Sequence, residues 1–262
     1  MHKRKFTTLA FYSLALVLLL GLGLGLHQYY IYKVTREAHK TTVDRNLSLM
    51  HMRADGYLER LALDGEFIAS TPILRMYLEN PSAETLAGAQ DALGLLLRCV
   101  YLDQLRYIDQ QGMERIRVNQ RGGPPQLATE LQNKSDRDYV QRGLALTAGG
   151  VYFSPIDLNI EHGQIERPFH PILRSVAKVM VNGSPAGMVV QNANVDELEK
   201  RLRTELPTAV AQPVVLNSSG GWIMGGGEKD WLFSAKPDAP DALLSTQARA
   251  VGKNPGQFVR SI

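Results

Sequence analysis

The sequence predicts an α+β protein: an N-terminal transmembrane helix, a long stalk helix, a mainly antiparallel sheet of about five strands with its own helices, and a second, smaller strand-rich unit that breaks off. Three observations carry this reading. Phe6 to Tyr32 contains no Lys, Arg, Asp or Glu. From residue 33 to about residue 70 the apolar positions recur at helical spacing. Beyond residue 102 the period falls from 3.6 to 2, with turn signals between the runs.

The first run, "FYSLALVLLLGLGLGL", is long enough to cross a bilayer as a helix. Lys3, Arg4 and Lys5 precede it and favour a cytoplasmic tail over residues 1–5, with the anchor over 6–32. Tyr29, Tyr30 and Tyr32 suit the far interface. The rival, a cleaved signal peptide, fits less well, because bulky tyrosines follow Gly23-Leu24-Gly25 and the apolar run is long. Residues 33–71 then read as a stalk. Val43, Leu47, Met50, Ala54, Tyr57 and Leu61 alternate by four and three, the spacing of a seam against a second copy or of a stripe against the chain's own domain.

Pro72 and Pro81 punctuate, and residues 82–98 form an apolar helix ending near Cys99, the single cysteine, read as a buried structural thiol. In "DQLRYIDQQGMERIRVNQ" two alternating runs flank the turn "DQQG", which is a β-hairpin. "RGGPP" is a loop. Ser135 or Asp136 caps a helix running to about Ala148. "GGVYFSPIDLNIEHGQI" is a strand and then a loop, and two strands flank the Asn182-Gly183 turn. "VDELEKRLRTEL" closes a unit over 72–206 as an amphipathic helix, and "PVVLNSSGGWIMGGG" opens the second unit, 208–262.

Composition narrows function. The formal charge of +3 comes from 29 basic and 26 acidic residues; without the three basic residues at the N-terminus the two signs balance. That leaves no basic field for nucleic acid. No H-E-x-x-H, no G-x-S-x-G and no phosphate loop outside the membrane run is present, so no catalytic residues are assigned and the chain is not read as an enzyme. Glu161, His162, Glu166 and His170 have ligand-like types, but Gly163 and Pro168 put them in a loop, so no metal or cofactor is assigned.

The phrases "LRYID", "ERIRVN", "LQNKSDRDYV", "VYFSPIDLNIEHGQI" and "RPFHPILRSVAKV", in this order, resemble the extracytoplasmic double Cache sensors, PAS-like domains found at the front of bacterial sensor histidine kinases and diguanylate cyclases. The resemblance implies a membrane-distal PAS-like lobe over 72–206, and a membrane-proximal PAS-like lobe over 208–262 that is incomplete. It also implies an inner-membrane receptor whose sensor lies in the periplasm and whose output domain is absent from this chain. The amino-acid-binding subset carries a tyrosine–arginine–tryptophan–tyrosine signature on the helix; "DRDYV" keeps Arg137 and Tyr139 and has no tryptophan.

In such a lobe the pocket lies between the sheet and the helix and loop that cross it. Alternation puts Arg115, Arg117 and Asn119 on one strand face. Arg137 and Tyr139 open the covering helix, Tyr152 and Ser154 lie on the next strand, and Arg174 on the one after. Arg117, Asn119, Arg137, Tyr139, Tyr152, Ser154 and Arg174 are therefore the candidate ligand residues, suited to a small molecule, anions included. Arg117, Arg137 and Arg174 are expected to converge without acids nearby. The expected partners are that ligand, the membrane and a second copy along the long helix. The alternative is a membrane-tethered adaptor whose PAS-like fold binds nothing.

Overall fold

The computed structural model describes residues 2–99, 102–161, 163–167, 170–203, 215–216 and 222–224. Two compact units divide the chain, Met1–Met52 and Arg53–Ile262. The first is helix: α1 runs from His2 to Ala69. Its apolar stretch is long and apolar enough to cross a membrane, with Leu16, Leu20 and Leu24 each about 60% exposed.

In the second unit α1 is followed by α2 (Pro72–Glu79) and α3 (Ala83–Cys99). Pro72, which in sequence marks only a break, sits at the start of α2, where its missing N–H costs nothing. Ser82 and Thr85 cap α3 reciprocally: the Thr85 N–H donates to Ser82 Oγ at 3.1 Å and the Ser82 N–H to Thr85 Oγ1 at 3.0 Å. The expected thiol packing of Cys99 lies outside the described residues.

The sheet takes the order β3(Gln126–Leu127)-β2(Glu114–Asn119)-β1(Leu102–Ile108)-β9(Ser184–Asn194)-β8(Pro171–Val181)-β4(Val151–Phe153), with β5(Asp157–Leu158) also pairing β8 and every pairing antiparallel. β6(Ile160–Glu161) and β7(Gln164–Ile165) pair with each other. The hairpin turn Asn182-Gly183 has φ of 50° and 79°, the left-handed pair that a two-residue turn between twisted strands demands. α5 (Val195–Arg203) follows β9.

Register sorts the residues by face. Leu105, Tyr107, Ile116 and Val118 share one face; Gln104, Arg106, Arg117 and Asn119 share the other. The first face packs under helices: Tyr77 of α2 meets the Tyr107 ring edge-on at 6.5 Å, and Gly65 of α1 lets that helix approach Gln191 and Ala177. Ala54, Tyr57 and Leu61 are buried within this unit, with Arg201 of α5 over the Tyr57 ring at 5.6 Å. At Ala54, Tyr57 and Leu61 the stripe therefore packs on its own domain, the second of the two expected uses, whereas Val43 is 37% exposed.

α4 (Asp138–Ala145) crosses the second face. It is shorter than the sequence suggested, because Leu146 is extended; its N-cap is Arg137, whose side chain makes no cap bond, in place of Ser135 or Asp136. Gly143 allows the close approach: a Cβ there would lie 2.7 Å from Met188 Sδ and Val176 Cγ1. Lys178 of β8 donates to the Leu144 carbonyl at 2.7 Å, satisfying an open C-terminal acceptor of the helix. Of the smaller unit expected over 208–262, the paired strands β10 (Val215–Leu216) and β11 (Trp222–Met224) are described; the rest of that expectation lies outside the described residues.

Candidate functional site

The second face of the sheet is polar yet largely buried. At its centre, Arg106 donates from Nη1 to Tyr139 Oη at 3.1 Å and from Nη2 to Asn192 Oδ1 at 2.7 Å. Glu114 is fully buried and stands between two arginines, 3.4 Å from Arg106 Nη1 and 3.4 Å from Arg117 Nη1. It also accepts the Gln132 N–H at 3.0 Å. Burial disfavours the Arg106 charge, but Tyr139 and Glu114 outweigh it and hold its pKa above the ordinary arginine value. A chain of amides continues the network: Asn192 donates to Gln104 at 3.1 Å and Gln104 to Asn119 at 2.7 Å.

Arg174 binds Asp157 at 2.6 Å, and its guanidinium lies 5.0 Å from the centre of the Tyr139 ring. Ser154 Oγ accepts the Arg174 N–H at 3.1 Å, so it fixes that residue's backbone. Tyr139, Ser154 and Arg174 thus share one closed cluster. Arg117 and Asn119 join this cluster only through Glu114 and the amide chain, and they line an open cavity of about 310 Å³ with Gln104, Arg121, Gln126 and Glu161. Tyr152 lies at the outer side of α4, its hydroxyl donating to Asp138 at 3.4 Å and its ring 5.5 Å from Arg142. Arg137 is half-buried at the start of α4 and lines neither this cavity nor the second one below. Contrary to the expectation from sequence, Arg117, Arg137 and Arg174 do not converge free of acids: Glu114, Asp157 and Glu161 are interleaved with Arg106, Arg117 and Arg174.

Glu161 arrives from β6. Its carboxylate lies 3.6 Å from Arg117 Nη1 and accepts from Gln132 and Asn159, both at 3.4 Å. Burial raises its pKa, but Lys134, Arg117, Asn159 and Arg106 outweigh that and hold it below the ordinary value. Two buried donor atoms here have no hydrogen-bond partner among the described residues: Arg106 Nε and Arg117 Nε. Sequence reasoning missed Arg106, Glu114, Asn192 and Gln104. Only the strand register, which sets Arg106 opposite Arg117 and Gln104 opposite Asn119, brings them in.

A second cavity of about 400 Å³ lies on the helical side, among Leu95, Arg98, Val118 and Leu127. It is larger but lacks a convergent set of buried donors, so the polar face is the better candidate.

Comparison with known proteins places this fold. No curated protein matches the chain. Solved sensory domains do, among them the following three. One is a domain of a putative sensory box/GGDEF family protein from Vibrio parahaemolyticus, with 19% identity and a TM-score of 0.64 over 77% of this chain and 81% of that one. The second is the extracellular domain of the putative histidine kinase vpHK1S-Z8, with 18% identity and a TM-score of 0.65 over 79% and 80%. The third is the sensory domain of the Campylobacter jejuni chemoreceptor Tlp3 with isoleucine bound, with 11% identity and a TM-score of 0.58 over 86% and 82%. The likeness to Cache-type sensory domains expected from the sequence holds at the level of fold. The model of the bacterial histidine kinase sensor domain matches residues 63–239, the whole polar face described above included, and the chain belongs to that family.

Proposed function

We infer that this sensor domain is the extracytoplasmic part of a membrane-anchored bacterial receptor and that it binds a small molecule on the polar sheet face. The observation that carries the reading is the pair of buried, unpartnered guanidinium nitrogens, Arg106 Nε and Arg117 Nε, on the strand face that borders the cavity. A buried donor left without a partner costs free energy, about 1–3 kcal/mol, and a ligand acceptor relieves that cost. The Campylobacter chemoreceptor domain, of the same fold, holds isoleucine, which supports a small-molecule role.

Arg117 and Asn119 contact the ligand in this reading. Tyr139, Ser154 and Arg174 keep the face in shape, and Arg137 and Tyr152 make no direct contact. The exposed leucines of α1 suit lipid, and the basic residues before them suit a cytoplasmic tail with an inner-membrane anchor. A second copy packs along the outward face of α1 in the second unit, where Leu63 and Phe67 are 57% and 61% exposed. The output is of the histidine kinase or diguanylate cyclase type.

The test is thermal unfolding of the full chain in detergent micelles against a panel of small carboxylates, amino acids and neutral metabolites. At least one compound is expected to raise the midpoint by mass action, and Arg117→Ala to abolish the rise. A panel with no active compound, or a rise untouched by Arg117→Ala, contradicts the reading.

A further inference from the structure

Arg117 uses one nitrogen for two acids. Nη1 lies 3.4 Å from Glu114 and 3.6 Å from Glu161, while Nε is buried and unpartnered, and no hydrogen bond from Nη2 occurs among the described residues. Nε and Nη2 form the edge of a guanidinium that grips a carboxylate with two parallel bonds. No hydrogen bond is made along that edge among the described residues, and the residue lines the cavity of about 310 Å³. The two acids differ. Glu114 is fully buried and also binds Arg106 and the Gln132 backbone. Glu161 is partly exposed, lies on a strand of two residues, and its contacts fall at 3.4, 3.4 and 3.6 Å, the long end of the hydrogen-bond range.

We propose that the ligand is a small carboxylate held by the Nε–Nη2 edge of Arg117, and that Glu161 is the chain's own tethered counter-ion, displaced from Arg117 when the ligand binds. Asn119 supplies the next donor. Its Oδ1 is taken by Gln104, and its Nδ2 makes no hydrogen bond among the described residues. The other charged wall of the cavity is Arg121, paired with Glu166. With Glu161 in place the cavity wall carries a negative charge against an incoming anion; with Glu161 withdrawn it carries only arginines. The depressed pKa of Glu161 fits the same picture, since cations outweigh its burial. Displacement also frees Asn159, which holds both Glu161 and Glu166 beside the β6–β7 pair. Occupancy thereby reaches the chain segment between β5 and β8.

The inference rests on the sensor reading above but fails separately from it. The experiment is thermal unfolding of the full chain in detergent micelles with acetate, and with acetamide as the neutral isostere. Wild type is expected to respond weakly to acetate. Glu161→Gln, which keeps an acceptor for Asn159, is expected to bind acetate roughly tenfold more tightly, because a like charge and a competitor are both removed. Adding Arg117→Ala to Glu161→Gln should erase that gain. Glu161→Ala serves as a second variant, with acetate restoring the midpoint that the truncation lowers. Equal acetate responses in wild type and both variants overturn the proposal, as does an acetamide response matching that of acetate. A wild-type chain stabilised by a neutral metabolite, with every variant indifferent to acetate, overturns this proposal and leaves the sensor reading standing.

Discussion

Tyr139 accepts a hydrogen bond from Arg106 across the interface between α4 and β1, at 3.1 Å, and its ring lies within 5.5 Å of the same guanidinium. One side chain therefore ties the covering helix to the central strand of the polar face. Tyr139→Phe keeps the ring and removes the acceptor. The expected loss is about 1–2 kcal/mol of unfolding free energy, measured by urea denaturation of the full chain in detergent. An unchanged midpoint would show that the bond contributes nothing net.

Gly143 sets how close α4 lies to the sheet. Gly143→Ala gains helix propensity of about 1 kcal/mol. A Cβ only 2.7 Å from Met188 and Val176 forces those side chains or the helix to move, at about 1–3 kcal/mol. The net expectation is destabilisation, with Tyr139 pulled away from Arg106. A stabilised variant would mean that the helix is free to lift.

Much of this was legible in the sequence. The switch of period, the "DQQG" and Asn182-Gly183 turns and the alternation of Arg117 and Asn119 with Ile116 and Val118 all reappear as strands and turns. The partners of the arginines were not legible, for a physical reason. Both faces of β1 are buried, so Gln104 and Arg106 lie as deep as Leu105 and Tyr107, and polarity no longer signals solvent. A register shift beside Ile108 brings Glu114 under the arginines, and no local pattern announces a bulge. Arg137 and Tyr139 lie two residues apart on a helix, so one alone turns inward; the register of α4 chose Tyr139.

The acid limb of stability should report Glu161. Its folded pKa is held below the ordinary 4.5, so its contribution is complete above that value and is lost as pH falls through the lower folded value. Glu161→Gln should be less stable than wild type at pH 7, and the gap should close as pH falls through that folded value. The check is the unfolding midpoint of both proteins across that range. A gap independent of pH would mean that the carboxylate charge contributes nothing.

Leu63 and Phe67 carry the dimer proposal, since the inward stripe of α1 is spent on its own domain. Phe67→Glu should lower the dimer fraction seen by light scattering in micelles, with the thermal midpoint of the sensor domain little changed. Leu61→Glu, placing a charge in a buried site, should unfold the domain instead. Association unaffected by Phe67→Glu would remove this face from the interface.

Calorimetric titration, with the compound that most stabilises the wild-type chain, is the most direct measurement. It compares wild type with Arg117→Ala and Arg137→Ala in the full chain. The polar-face reading predicts that Arg117→Ala loses about 1.5–3 kcal/mol of binding free energy, one charge-assisted contact, and that Arg137→Ala binds as wild type does. Unchanged affinity in Arg117→Ala, with the loss falling on Arg137→Ala, would contradict it and move the site to the start of α4.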